Sequence, residues 1–106
     1  MARAIYSTLF GVGNRTTAGL VSVYTVPAGS VAVVRDVALL VLNIGDQINF
    51  LDFTNTVNIA NYRAATSPQT FQWAGHQVFP AGAQIGVNCV NAGFNSWRIS
   101  GYLLTA

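Results

Sequence analysis

The residues able to do chemistry in this chain are few. His76 is the one histidine, Cys89 the one cysteine, and Asp36, Asp46 and Asp52 are the carboxylates; there is no Glu and no Lys. General acid–base catalysis needs titratable groups set near one another, and a nucleophilic thiol needs a base within hydrogen-bond reach. His76 and Cys89 are the pair that could form such a dyad. His76 follows Ala74-Gly75 at an expected bend, where a surface histidine is common. Cys89 ends the alternating run Ala83, Ile85, Val87, Cys89, where a small buried hydrophobe fits. A metal site needs three or four convergent ligands, and one His, one Cys and three Asp on different turns do not supply them. Gly11-Val12-Gly13-Asn14-Arg15-Thr16 resembles the start of a phosphate loop but lacks the third Gly and the helix behind it. The chain therefore reads as non-enzymatic, with no cofactor and no metal.

Charge is equally sparse. Only 8% of the 106 residues are charged while 52% are hydrophobic, against roughly a quarter charged in an average soluble domain. Asn, Thr, Ser and Gln must supply most of the polar surface. Charge of both signs keeps small domains apart, so this balance points to apolar surface covered by a neighbouring subunit. The five Arg (Arg3, Arg15, Arg35, Arg63, Arg98) are scattered and do not form the basic patch of a nucleic-acid binder. The longest apolar run, Val37 to Leu42, is far shorter than a membrane span. Met1 to Ser7 has no sustained apolar stretch and does not read as a signal peptide. A single Cys allows no internal disulfide.

The positioning elements read as strands. Gly and Asn interrupt most helical windows, and β-branched and aromatic residues fill the apolar positions. About eight strands are expected: Arg3–Phe10, ending at a Gly11–Asn14 breaker; Leu20–Val26; Val31–Leu42; Gln47–Phe53; Thr56–Arg63; a bent strand of Thr70–Trp73 and Gln77–Phe79; Ala83–Val90; and Ser96–Leu104. Pro27-Ala28-Gly29 and Pro80-Ala81-Gly82 lie half a chain length apart and read as two hairpin turns. The expected fold is all-β, a single jelly-roll-like β-sandwich over residues 1–106. Residues 1–10 are a candidate N-terminal arm reaching a neighbour.

Arg35-Asp36 interrupts the otherwise apolar Val31–Leu42. Neighbours on a regular strand point to opposite faces, so each is expected to seek a different partner, across sheets or in another subunit, or to reach solvent at a kink. Among the aromatics, Trp73, Phe94 and Trp97 are candidate interface anchors. Trp73 and Phe94, beside turn residues, are also the pair to test for carbohydrate binding.

Two segments carry a resemblance. Val23-Tyr24-Thr25-Val26-Pro27-Ala28-Gly29-Ser30 running into Val31–Val37, and Phe71-Gln72-Trp73-Ala74-Gly75-His76-Gln77-Val78-Phe79-Pro80-Ala81-Gly82 with the closing Trp97–Leu104, resemble small β-sandwich virion proteins of tailed bacteriophages. The stretch from Asn43 to Ser67 carries no such pattern. The resemblance implies a structural protein of the particle, a capsid decoration or minor capsid protein assembled in the host cytoplasm and resident in the virion. Its partners would be itself, as a homotrimer, and the major capsid protein. Tail, neck or fibre components with the same fold, and a virion-displayed receptor- or carbohydrate-binding module, are the alternatives. Arg35, Asp36, Trp73, Phe94 and Trp97 are the expected interface residues.

Overall fold

The computed structural model describes residues 7–105. Eight strands account for most of them: β1 (Ser7–Arg15), β2 (Gly19–Thr25), β3 (Ser30–Val41), β4 (Gln47–Asp52), β5 (Val57–Arg63), β6 (Gln69–Phe79), β7 (Gln84–Cys89) and β8 (Asn95–Thr105). They form two four-stranded antiparallel sheets, ordered β1-β8-β3-β6 and β2-β7-β4-β5. Strands pair as β1 with β8, β2 with β7, β3 with β6 and β4 with β5. The strands thus nest as antiparallel pairs in two facing sheets, the β-sandwich expected from their spacing.

Alternation builds the core. Ile48 and Phe50 of β4, Ile85, Val87 and Cys89 of β7, and Trp97 and Ile99 of β8 point inward to meet Val37, Leu39 and Val41 of β3 and Phe79 of β6. Each fully buried apolar side chain of this size contributes about 1.5–3 kcal/mol. An aromatic pair lies at each side of the sandwich, where the sheets' outer strands approach. Phe10 of β1 meets Tyr24 of β2 at 4.9 Å, and Tyr62 of β5 stacks on Phe71 of β6 at 4.7 Å.

The two Pro-Ala-Gly segments are not hairpins. One carries the chain from β2 to β3 and the other from β6 to β7, each crossing between sheets. Ser30 N donates to Pro27 O at 3.2 Å and Ala83 N to Pro80 O at 3.0 Å. Gly29 and Gly82 take φ of +81° and +85°, so each is a turn with Pro at its first corner and Gly at the left-handed third. The two turns are joined: Val26 N donates to Ala83 O and Gly82 N to Val26 O, both at 2.9 Å.

Other expectations need correction. The Gly11–Asn14 breaker lies inside β1, because Gly13 is an inward position where a Cβ would stand 2.7 Å from the Trp97 ring. The strand expected to be bent or bulged at Ala74-Gly75 is one β6, and its ladder with β3 does slip there, Gly75 and His76 lying opposite Arg35. Of the candidate arm, Ser7 to Phe10 belong to β1, whose ladder with β8 begins at Ser7; residues 1–6 lie outside the described residues.

Candidate interface on the outer face of the first sheet

The site begins with an irregularity in β3. Its register slips against both neighbours between Val34 and Asp36. Val34 and Val37 are both core residues, at 0% and 1% exposure, while Arg35 and Asp36 between them are both exposed. A bulge places two consecutive side chains on one face. The expectation that Arg35 and Asp36 point to opposite faces therefore fails. Both reach the solvent side of the first sheet.

Arg35 has a local task. Its Nε donates to Gly75 O of β6 at 3.1 Å, satisfying a carbonyl beside the slipped ladder. Asp36 makes no ion pair or hydrogen bond among the described residues. Arg98 of β8, outward because Trp97 and Ile99 point inward, is likewise without a partner among them.

Three adjoining grooves cover this face. The first, about 500 Å³, is lined by Thr8, Leu9, Arg35, Asp36, Arg98 and Tyr102 among others. The second, about 330 Å³, shares Asp36 and Arg98 and adds Trp73 and Ala74. The third, about 520 Å³, runs past Val12, Phe94, Trp97 and Arg98. All five residues singled out from the sequence border these grooves, Arg35 and Asp36 with outward side chains and Trp73 and Trp97 with rings turned into the core, and Arg98 belongs to all three. Exposed apolar side chains flank it: Leu9 at 50%, Val12 at 58% and, on β6, Val78 at 56%.

The aromatic members are mainly structural. Trp97 is 8% exposed, and the half-buried Trp73 ring packs on Phe50 with centroids 5.2 Å apart. Neither is displayed as a flat platform. Arg98 escaped the sequence reading, although alternation along Ser96–Leu104 was enough to place it outward.

The remaining reactive groups do not converge. Cys89 is fully buried in the second sheet, and burial pushes its thiol pKa up, with Arg15 pulling it partly back. His76 is exposed on the outer face of β6 in the other sheet. Asp52 accepts from the backbone and side chain of Asn55 in the turn after β4. Among the described residues no group of three or more His, Cys, Asp or Glu side chains comes together in a way that could hold a metal.

No family model matches the sequence, and no curated protein matches it. Among solved structures, the chain is similar to one of infectious bursal disease virus, Gx strain, at 9% identity and a TM-score of 0.45. It is also similar to one of T=1 particles derived from infectious bursal virus, at 13% identity and 0.37. Each likeness covers 98% of this chain and 32% of the other, so the chain spans about a third of those proteins' length. At these scores neither likeness bears on what this chain does.

Proposed function

We propose that this chain is a non-enzymatic structural protein of a tailed-phage particle, a capsid decoration or minor capsid protein that stabilises the shell through subunit contacts. The observation that carries the reading is the outer face of the first sheet. It is a long, shallow, grooved surface with uncommitted Arg98 and Asp36 at its centre and exposed Leu9, Val12 and Val78 around them. Such a face suits a broad protein contact better than a small substrate, for which an enclosed pocket with a few convergent polar groups is usual. The resemblance of the Pro-Ala-Gly and Trp97–Leu104 segments to phage virion proteins points the same way. Jelly rolls serve in virus coats but also in lectins, so the fold by itself does not choose.

The mechanism is linkage. A subunit that binds the assembled lattice and not free coat protein stabilises the lattice by mass action. Modest free energy per site, summed over many copies, opposes internal pressure. The test is co-sedimentation of the purified chain with particles lacking it, compared with Arg98→Glu. Wild type should pellet with particles and Arg98→Glu should bind at least tenfold more weakly. Equal binding of the two would remove the outer face from the contact.

A further inference from the structure

We infer that the end of the sandwich closed by the β3–β4 and β7–β8 loops binds a hard divalent cation of the Ca²⁺ type, with Asp46 and Asn95 as its side-chain ligands.

Among the described residues two buried side-chain polar atoms have no hydrogen-bond partner, Asp46 Oδ2 and Asn95 Oδ1. Both are oxygens that accept. The orientation of the Asn95 amide is fixed by its nitrogen, which donates to Gly93 O at 2.9 Å and to Asn91 O at 3.4 Å, so the oxygen is the atom left over. Asn95 is fully buried and opens β8 on the face that carries Trp97 and Ile99 inward. Asp46 stands just before β4 in the opposite sheet. Ala64 N donates to its carbonyl at 2.9 Å, which carries the β4–β5 ladder one residue further. Alternation then puts Asp46 on the inward face of Ile48 and Phe50. The two side chains thus enter the gap between the sheets from opposite sides at the same end. Gly93 links them: a Cβ there would stand 2.5 Å from Asp46 Oδ2, and its carbonyl holds the Asn95 amide.

The chemistry of the pair selects the ligand. A buried acceptor without a donor is costly, and more so when it carries charge. No Arg among the described residues answers Asp46. Arg63, across the β4–β5 ladder, is spent on Gly45 O and Gln47 Oε1, both at 3.1 Å. Arg15, opposite Asn95 in the β1–β8 ladder, is spent on Thr17 Oγ1 and Ala18 O. A water would donate to both oxygens but leave the carboxylate charge unmatched; a hard cation meets both needs. Ca²⁺ takes carboxylate, Asn and backbone carbonyl oxygens together with waters. The Asn43 amide is at hand as a third ligand, because its Nδ2 is also 2.5 Å from the Gly93 Cβ position and a half-turn of the amide exchanges nitrogen for oxygen. Neither His nor Cys belongs to the group, so it does not suit Zn²⁺. A single carboxylate puts the site at the weak end of the Ca²⁺ range, with a Kd on the order of 10⁻⁴–10⁻³ M. The ion would clamp the loop after β3 to the loop before β8. This clamp does not rest on the particle reading, because a chain with no affinity for particles would still show it.

Thermal unfolding of the full chain tests it, in CaCl₂ at about 10 mM, above that Kd, and in EDTA. CaCl₂ should raise the wild-type Tm by at least about 4 °C. Asp46→Asn should lose that rise, while Asp52→Asn, whose carboxylate serves the turn after β4, should keep it. Asn95→Asp, which adds a second carboxylate, should lower Tm in EDTA and enlarge the CaCl₂ rise, a gain that a folding defect cannot mimic. A wild-type Tm equal in CaCl₂ and EDTA would overturn the inference and leave the two oxygens to a buried water. So would a full CaCl₂ rise in Asp46→Asn, which would put the ion elsewhere.

Discussion

Gly101 of β8 lies so close to Val33 of β3 that a Cβ at position 101 would overlap the Val33 carbonyl oxygen and stand 3.0 Å from the Arg35 amide nitrogen. The contact sits where the β3 register slips, so the bulge that turns Arg35 and Asp36 outward is possible only with the chain bare on the neighbouring strand. Backbone cannot swing aside as a side chain can. Gly101→Ala should therefore lower stability by about 1–3 kcal/mol, the usual cost of overpacking. At about 4–8 °C per kcal/mol for a domain of this size, calorimetry should show a plainly lower Tm. Ser100→Ala, one residue away, should change it little.

The joined Pro-Ala-Gly turns give a second expectation. Nothing lies within 4 Å of a Cβ added at Gly29 or Gly82, but both hold positive φ. The penalty for Ala is then backbone strain alone, about 1–2 kcal/mol. Gly29→Ala and Gly82→Ala should lose similar amounts in urea titrations, because they hold the same turn. A large loss for one and none for the other would contradict that equivalence.

Alkaline pH should weaken the fold through Cys89. Burial raises its pKa, and Arg15 offsets this only in part. The folded chain keeps the thiol proton where the unfolded chain has released it. Its contribution is complete below the unfolded pKa of about 8.5 and is lost as pH rises toward the folded value, by at most ~1.4 kcal/mol per pH unit. Tyr62, raised by burial, adds the same sign above about pH 10. Urea unfolding between pH 7 and 10 should show a falling stability whose slope flattens in Cys89→Ala. An unchanged slope would remove Cys89 as its cause.

Asp36 and Arg98 carry no intramolecular bond among the described residues, so Asp36→Asn and Arg98→Glu should keep Tm within the range of ordinary surface changes, about ±0.5 kcal/mol. A loss above 1 kcal/mol in either would show that these groups serve the fold.

Much of the architecture was legible because strands declare themselves by alternation. Ile85, Val87 and Cys89, or Trp97 and Ile99, face inward as their spacing requires. What the sequence concealed lies where alternation breaks. Nothing local to Val34-Arg35-Asp36-Val37 says that two successive residues share a face; the bulge is set by Gly101, far along the chain. Gly11 and Gly13 look like turn residues until their strand is known, with the Val23 side chain that Gly11 faces and the Trp97 ring that Gly13 faces. The Pro-Ala-Gly segments announce turns, but whether a turn joins neighbours in one sheet or crosses to the other depends on strands remote in sequence. That Arg35, Asp36, Trp73, Phe94 and Trp97 all border one set of grooves follows from the sheet order β1-β8-β3-β6, which no local pattern encodes.

Copy number per purified particle, from quantitative mass spectrometry normalised to the major capsid protein, tests the proposed role most directly. A lattice-wide shell component must be present in numbers on the order of hundreds, in fixed ratio to the coat. A handful of copies would contradict that role and assign the chain to the neck, tail or fibres.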